Sequence, residues 1–262
     1  MTDENEITPF KIGIGTGVVR QWGEELTEIL RDPERLLDSA EILKNSRSTK
    51  AGVAPWPENP ERRPRLFVKR HNIKGPVHAA KYALRPSRAF REFRAAIRVE
   101  ALKIPTPRPL AALTTKRLIV PGPSYFLCEA VENVVPTLDF LRSALTDETM
   151  MAEYISATTT LLAKLHAAGI LHGDTKCSNF FVAENGGERD FGVWDLLSCR
   201  FRGTQPKKEE RYAETKRFAD SIAKIAARLS IDLPNAASAA TVETAYQLAF
   251  PKEVGKGAMN NQ

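Results

Sequence analysis

The chain has 262 residues and a net charge of +6, with 42% hydrophobic and 27% charged residues. These proportions are typical of a soluble globular protein with one large domain or two small lobes. No apolar run approaches the roughly 20 residues that a membrane-spanning helix needs, and the acidic first six residues do not resemble a signal peptide. We therefore expect a cytoplasmic protein.

The cysteines and the basic residues narrow the class of protein further. Cys128, Cys177 and Cys199 are widely spaced, which favours reduced thiols and matches no zinc pattern. Much of the excess positive charge lies between Arg62 and Lys116, and a basic surface suits phosphate-rich partners such as nucleotides or anionic lipids. Nucleic acid is not expected, because no recognition helix, zinc finger or aromatic RNA-binding motif accompanies the charge.

The first part of the chain is predicted to contain two helices, one near residues 24–30 and one ending near Leu43. The glycine-rich run at residues 13–17 is interpreted as turn-forming, because its glycines do not match the spacing of a nucleotide-binding loop. Residues 44–64 are predicted to form strand, loop and strand. Residues 65–69 form a short apolar run that ends in a lysine, which indicates a buried strand.

A helix is predicted to follow, with Ser87 as its N-cap and the proline-rich run at residues 105–109 as its end. Residues 118–120 and 125–129 are predicted to be strands. The Pro-Gly-Pro run at residues 121–123 is predicted to be the turn that joins them.

The second half of the chain is predicted to be mostly helical. A helix is expected over residues 147–168, closed by Gly169, and an amphipathic helix over residues 212–229. Brief apolar runs between them fit short strands around loops. The order is therefore a mostly β half followed by a mostly helical half.

The loop at residues 172–179, HGDTKCSN, carries the residues best suited to chemistry. Asp174 follows a short apolar run and a turn glycine, Asn179 lies on the same loop, and Asp195 follows the next apolar run. Mg²⁺ prefers oxygen ligands of this type and often takes only one or two from protein. Lys176 could reach a phosphoryl group as a point charge. Such a set suits phosphoryl transfer from ATP, which needs mainly positioning and charge neutralisation.

This loop resembles the catalytic loop of protein kinases, HRDxKxxN, with glycine where arginine is usual. Trp194-Asp195-Leu196-Leu197 stands where DFG would be, Phe67-Val68-Lys69 is similar to the strand with the nucleotide-binding lysine, and Arg91-Glu92-Phe93 to the helix with its partner glutamate. Residues 87–110, with R-E-F and P-T-P, resemble one branch more closely. That branch is the bacterial lipopolysaccharide-core kinases, which phosphorylate Kdo or heptose sugars.

The resemblance covers roughly residues 44–229 and implies an α+β, two-lobed protein-kinase-like fold. Residues 44–131 would form a mostly β N-terminal lobe with one key helix. Residues 132–262 would form a short, mostly helical C-terminal lobe, and residues 1–43 an N-terminal extension with helices.

The resemblance also implies roles in a transfer that depends on ATP and Mg²⁺. Asp174 would orient the acceptor hydroxyl as catalytic base, and Lys176 would contact the γ-phosphate. Asn179 and Asp195 would bind the magnesium ion.

The remaining implied roles concern the nucleotide. Lys69, paired with Glu92, would contact the α- and β-phosphates, and backbone groups of Glu129 and Val131 would bind adenine. Glu100, on the same predicted helix as Glu92, is a second candidate for the partner of the lysine, although its spacing fits less well.

Three departures from the protein-kinase pattern bear on the substrate. Gly173 removes the arginine that reads a phosphorylated activation loop, Leu196-Leu197 replaces Phe-Gly, and no APE sequence follows. They favour phosphorylation of a sugar hydroxyl in a lipopolysaccharide-core-like glycolipid, with peripheral contact at the anionic inner-membrane surface. An atypical serine/threonine protein kinase, which Lys176 favours, and a non-catalytic pseudokinase scaffold are the alternatives.

Overall fold

The computed structural model describes residues 7–13, 15–20, 24–73, 75, 85–117 and 120–251. Within these residues the chain forms two compact units. The first comprises the residues up to Val134 together with Trp194–Ser198, and the second comprises Val135–Val193 and the residues from Cys199 onward. The predicted functional divisions after residues 43 and 131 stay predictions.

The first unit is built on a seven-stranded antiparallel sheet with the strand order β1-β2-β6-β7-β5-β4-β3. The central strands β6 and β7 are buried continuously at residues 109–113 and 124–128, as expected where both faces of a sheet are covered. The strands are β1 (Ile7–Ile12), β2 (Gly15–Arg20), β3 (Glu41–Asn45), β4 (Thr49–Ala54), β5 (Leu66–His71), β6 (Pro109–Arg117) and β7 (Val120–Glu129).

Three helices of the described residues belong to this unit, α1 (Glu24–Arg31), α2 (Pro33–Asp38) and α3 (Arg88–Ala101). Leucines of α1 and α2 are buried in one core cluster with side chains of the sheet. The α3 helix begins as predicted, because the Ser87 Oγ accepts a hydrogen bond from the Phe90 N–H. This cap fixes the start of the helix that carries Glu92.

The predicted helix ending near Leu43 is wrong, since α2 ends at Asp38 and β3 follows it. The N–H of Ser39 donates to the Arg35 carbonyl, and its hydroxyl donates to the Leu36 carbonyl. These two bonds satisfy carbonyls of the last turn and so close the helix. The apolar pair in β3 belongs to an exposed edge strand, which sequence periodicity did not separate from a helix.

The predicted turn at residues 121–123 is also wrong. β7 begins at Val120 and continues through the prolines, with Pro121 opposite Lys116 in β6. Proline is tolerated near the start of a strand, and the register between β6 and β7 is irregular at this point. The Thr115 hydroxyl donates to the Pro123 carbonyl at 2.9 Å. Residues 118 and 119 of the predicted strand lie outside the described residues.

The glycine-rich run at residues 13–17 contributes to a hairpin between β1 and β2, and two of its glycines lie within β2. Gly13 has a φ of +53°, as a turn residue requires. A Cβ at Gly17 would lie 2.2 Å from the Phe10 ring and 2.5 Å from the Ala112 carbonyl oxygen. The turn interpretation therefore holds only at the start of the run, and Ile14 lies outside the described residues.

The second unit contains four helices among the described residues, two of which were predicted. The Asp147 carboxylate accepts from two N–H groups at the start of the long helix, and Gly169, with a φ of +74°, follows its end. The helices are α4 (Thr137–Ala144), α5 (Glu148–Ala167), α6 (Lys208–Leu229) and α7 (Ala239–Ala249). Two small antiparallel sheets pair β8 (Ile170–Leu171) with β11 (Arg200–Phe201), and β9 (Phe180–Asn185) with β10 (Glu188–Val193).

The predicted α+β fold class, mostly β first and mostly helical later, is confirmed. The core of the second unit centres on Tyr154, whose ring contacts those of Phe140 and Phe218. Among the described residues, none of the helices combines the length and the hydrophobicity that crossing a bilayer requires.

Candidate active site

Lys69, Glu92 and Asp195 meet in the first unit. The Lys69 ammonium lies 2.6 Å from a Glu92 carboxylate oxygen and 2.7 Å from an Asp195 carboxylate oxygen. The lysine side chain is 10% exposed and the glutamate 4%, whereas the aspartate is 35% exposed. Residues from β5, α3 and the segment after β10 are thus joined by one buried cation.

A histidine that the sequence analysis did not identify completes this cluster. The His71 Nε2 lies 2.9 Å from the second carboxylate oxygen of Glu92. Residues two apart on a strand point to the same face, so Lys69 and His71 both reach the same carboxylate. The predicted strand ended at Lys69, whereas the observed strand continues to His71, so the i,i+2 spacing from Lys69 was the available signal.

The proton states of the cluster follow from burial and pairing. Burial would raise the pKa of Glu92, but the charge of Lys69 and the hydrogen bond with His71 outweigh it and lower that pKa to about 2. Burial lowers the pKa of Lys69, but the two carboxylates beside it produce a net rise. Burial lowers the pKa of His71, and its hydrogen bond to Glu92 only partly opposes this. Burial and pairing therefore favour a charged lysine, a charged glutamate and a neutral histidine near neutral pH.

The backbone at Asp195 adopts the left-handed conformation, with a φ of +56°. A non-glycine residue in this region is uncommon and is held there by its surroundings. The buried Leu196 begins a short 3-10 helix, Leu196–Ser198, directly after it. Asp195 thereby directs one carboxylate oxygen to Lys69.

Glu100, the second candidate for the partner of Lys69, has a different partner. Its carboxylate forms an ion pair with Arg20 at the end of β2. Since Glu92 and Glu100 are eight residues apart on α3, the helix separates the two carboxylates along its axis. The residue that fits the motif spacing better is the one in contact with the lysine.

Glu129 and Val131 lie at the end of β7 and just after it. The Glu129 N–H donates to the Arg108 carbonyl, and the Ala130 N–H donates to the Arg65 carbonyl. These two donors are therefore used within the protein. Their engagement fixes the path of the backbone that leads to Val131.

Asp174, Lys176 and Asn179 meet in the second unit. The Asn179 amide nitrogen donates to the Asp174 backbone carbonyl at 2.7 Å and to its carboxylate at 3.0 Å. The Lys176 ammonium lies 2.9 Å from the same carboxylate oxygen. The aspartate and lysine side chains are 38% and 46% exposed, while Asn179 is buried. The structure thus brings together the three residues that the loop motif singled out.

A buried glutamate of α6 holds this loop from behind. Glu214 accepts hydrogen bonds from the His172 N–H at 3.0 Å and from the Gly173 N–H at 2.6 Å. Its own carbonyl accepts from the Thr175 hydroxyl at 2.7 Å. Burial raises the pKa of Glu214, but its hydrogen bonds with His166 and with these backbone groups lower it on balance.

The backbone conformation of the loop that Glu214 binds explains why residue 173 is a glycine. Gly173 has a φ of +84°, a conformation that L side chains rarely adopt. Its carbonyl also accepts a hydrogen bond from the Arg217 guanidinium at 3.0 Å. Glu214 and Arg217 lie some 40 residues after the loop, so no local sequence pattern identified them.

The predicted magnesium ligands supply a carboxylate, Asp195, and an amide, Asn179. Among the described residues no group of three or more His, Cys, Asp or Glu side chains could hold a metal ion. The Asn179 bonds to Asp174 use its amide nitrogen and not its amide oxygen. The donor set is of the hard oxygen type that Mg²⁺ prefers.

A family model described as the lipopolysaccharide kinase (Kdo/WaaP) family matches residues 31–233. The chain belongs to this family. The matched range contains every predicted site residue, and the predicted family resemblance is confirmed.

The chain is also similar to a curated relative and to a solved structure. The chain is 28% identical to the 3-deoxy-D-manno-octulosonic acid kinase of Actinobacillus succinogenes over 165 residues, which are 62% of this chain and 66% of that protein. It is similar in fold to a structure titled WaaP in complex with acyl carrier protein, with a TM-score of 0.58 and 15% identity. That similarity covers 87% of this chain and 88% of the other, and it supports the predicted kinase-like fold.

Proposed function

We propose that this chain is an ATP- and Mg²⁺-dependent phosphotransferase that phosphorylates a sugar hydroxyl of a lipopolysaccharide-core-like glycolipid. The observation that carries the proposal is the buried Lys69 ammonium held between Glu92 and Asp195. Burying charged groups costs free energy even when they are paired, so such a cluster is expected where it serves a function. In a family of kinases, that function would be the binding of nucleotide phosphates by the lysine.

Lys69 would bind the α- and β-phosphates of ATP. Its ammonium is positioned by two carboxylates, so little side-chain freedom remains to be lost when a nucleotide binds. Asp195 and Asn179 would hold Mg²⁺, which supplies charge neutralisation on the phosphates when it is bound. Adenine would meet the backbone at Glu129 and Val131. Of these two residues, Glu129 already uses its N–H within the protein.

Asp174 would orient the acceptor hydroxyl and accept its proton. Its carboxylate is held by Asn179 and remains partly exposed, so a substrate can reach it. Lys176 would turn from Asp174 to the γ-phosphate. An exposed ion pair of this kind contributes only about 0–1 kcal/mol, so breaking it costs little.

The acceptor class rests on the family description and on the name of the Actinobacillus relative, a 3-deoxy-D-manno-octulosonic acid kinase. Such an acceptor is carried by a lipid, so we propose that the enzyme works at the anionic cytoplasmic face of the inner membrane. The exposed arginines of α3, Arg91, Arg94 and Arg98, would suit that surface.

The proposal is tested by transfer of label from radiolabelled ATP to Kdo-lipid A, to heptosylated core and to total protein. We expect label in one of the two glycolipids, with dependence on Mg²⁺, and loss of label in the Asp174→Ala variant. Label in protein alone would instead establish the atypical protein kinase. Absence of label from every fraction would revive the non-catalytic scaffold.

A further inference from the structure

The first unit contains a cavity of about 390 Å³ beside the start of α3. Three cationic side chains line it, Arg85, Arg88 and Lys116, and none of the lining residues that the structure describes carries a carboxylate. None of the residues proposed to bind ATP or Mg²⁺ lines it. A cavity with positive side chains and no opposing acid favours an anionic occupant.

The walls of this cavity are fixed by hydrogen bonds. The Thr114 hydroxyl donates to the Ser87 hydroxyl at 2.6 Å, which ties β6 to the N-cap of α3. The Arg88 guanidinium donates to the Ser48 carbonyl at 3.3 Å, which ties the same helix to the turn before β4. The cavity is therefore bounded by ordered secondary structure.

The buried Nδ1 atom of His71 is the evidence that this cavity binds a ligand. His71 lines it, and its side chain is fully buried. Its Nε2 is used by Glu92, whereas its Nδ1 has no hydrogen-bond partner in the part of the chain that the structure describes. An unpartnered buried polar atom is costly, with a penalty of about 1–3 kcal/mol, and native proteins rarely leave one without a partner such as a water, an ion or a ligand.

We propose that this cavity is a second anion site that binds a phosphate group, with His71 as the link to the Lys69–Glu92 pair. The anionic oxygens would be bound by Arg85, Arg88 and Lys116. The phosphate would also present one P–OH, as inorganic phosphate does near neutral pH and as a phosphomonoester does in its singly charged form.

The chemistry of His71 selects this kind of anion. A neutral imidazole that donates from Nε2 can only accept at Nδ1. The partner must therefore carry a hydrogen-bond donor, which a P–OH group supplies and a fully ionised sulfate does not. The cavity thus distinguishes phosphate from sulfate by one proton.

The position of Glu92 couples this site to the lysine. One carboxylate oxygen of Glu92 contacts Lys69 and the other contacts His71. A ligand that polarises the His71 ring changes the strength of its bond to Glu92, and so changes how firmly Glu92 holds the lysine. This consequence for phosphate transfer rests on the proposed function, but the binding of phosphate does not.

Binding is measured by titrating inorganic phosphate into the full-length protein, labelled with ¹⁵N at histidine, and recording the ring nitrogens by NMR. The His71→Gln variant assigns the signals. We expect a saturable change at the His71 Nδ1 and much smaller changes at His166 and His172. An equal concentration of sulfate at the same ionic strength should not reproduce it.

Two double variants distinguish phosphate binding in this cavity from non-specific attraction of phosphate to the basic surface. Arg85→Gln with Lys116→Gln removes two exposed cations of the cavity and should weaken phosphate binding by about tenfold or more, since bonds to charged groups are the strong ones. Arg91→Gln with Arg94→Gln removes the same charge from exposed positions of α3 outside the lining and should leave binding within about twofold. Equal weakening in both variants, or no saturable change at His71, overturns the proposal.

The phosphate could come from solution or from a lipid headgroup. Vesicles containing phosphatidic acid are therefore compared with vesicles of phosphatidylcholine for their ability to displace inorganic phosphate. Displacement by phosphatidic acid alone supports the site and assigns it to a lipid phosphomonoester, while no displacement supports it and assigns it to soluble phosphate. A protein that binds phosphate at His71 but transfers no label from ATP would refute the proposed function and leave this site standing.

Discussion

The Lys69 cluster and the Asp174 loop hold their charged groups in opposite ways. In the first unit the ionised side chains of Lys69 and Glu92 are buried and are paired directly with one another. In the second unit the acid and the lysine are partly exposed, and the buried charge is that of Glu214, which binds the loop backbone.

Because of this difference, substitutions in the Lys69 cluster should affect mainly stability, and substitutions in the Asp174 loop should affect mainly phosphate transfer. Removing one partner of a buried pair leaves an uncompensated charge in a medium of low polarity, so the first cluster is tied to folding. An exposed pair is screened by solvent, so Asp174 and Lys176 can be changed without disturbing the fold. We expect substitutions in the two places to differ accordingly.

The largest effect is expected for Asp174→Asn. The variant keeps the shape of the side chain but removes the carboxylate that we propose as the base, so phosphate transfer should fall by roughly 10²–10⁴-fold. The free energy of unfolding should change by no more than about 0.5 kcal/mol, because the side chain is partly exposed. Transfer assays and urea denaturation measure the two quantities.

The matched control for that prediction is Asp190→Asn, an exposed aspartate of β10 whose carboxylate also accepts from a nearby asparagine amide. It should leave both transfer and stability unchanged. An equal loss of transfer in the two variants would show that Asp174 has no special place in the reaction.

The next effect is on stability, in Glu92→Gln. This substitution leaves the Lys69 charge buried with only Asp195 beside it, and we expect a loss of about 3–5 kcal/mol in the free energy of unfolding. Glu100→Gln on the same helix removes an equal charge from a more exposed carboxylate. A loss in Glu100→Gln as large as that in Glu92→Gln would contradict the assignment of Glu92 as the essential partner.

The free energy of unfolding should also depend on pH in the acid range because Glu92 takes up a proton there. The pKa of Glu92 is about 2 in the folded protein and near 4.5 when unfolded, so the unfolded chain binds the proton first. The stability that Glu92 contributes is therefore fully present above pH 4.5 and is lost as the pH falls towards 2. In Glu92→Gln this part of the decline should be absent, which chemical denaturation at a series of pH values would test. A wild-type profile as flat as that of the variant would refute it.

A smaller effect is expected for Glu214→Gln. The amide can still accept one backbone hydrogen bond, but it loses the charge that strengthens the bonds from His172, Gly173 and His166, at a cost of about 1–3 kcal/mol in stability. If Glu214 positions the loop, kcat should fall while the KM for ATP stays constant. A change in the KM for ATP with constant kcat would argue against that positioning role.

The Lys69 cluster and the Asp174 loop also differ in which of their residues could be predicted from the sequence. The loop motif and the Lys69 strand were recognisable because their residues are close in sequence and have a fixed spacing. Glu214 and His71 were missed for different reasons. The contact of Glu214 with Gly173 joins residues 41 positions apart, and it depends on helix packing that no local pattern encodes. His71 was visible as the second residue after Lys69, but a lone histidine at a strand end carries no meaning until Glu92 is found beside it.

The wrong predictions of secondary structure have a similar cause. The apolar pair in β3 resembled a helix end because edge strands bury few side chains, so their sequence lacks the alternation of a half-buried strand. The prolines of β7 indicated a turn, although pairing of Pro121 with Lys116 of β6 accommodates them in a strand. Local sequence patterns therefore failed to predict the element type at the edge strand β3 and at the start of β7.

The smallest predicted effect concerns Lys176→Met. If the ammonium turns from Asp174 to the γ-phosphate, its removal should lower kcat/KM for ATP by roughly 10–100-fold, as expected for one charged hydrogen bond. Stability should stay within about 0.5 kcal/mol, because the ion pair is half exposed. Lys164→Met, at an exposed position of α5, is the control and should change neither quantity. Unchanged transfer in Lys176→Met would mean that the lysine only accompanies Asp174, and the loop would then act through the carboxylate and Asn179.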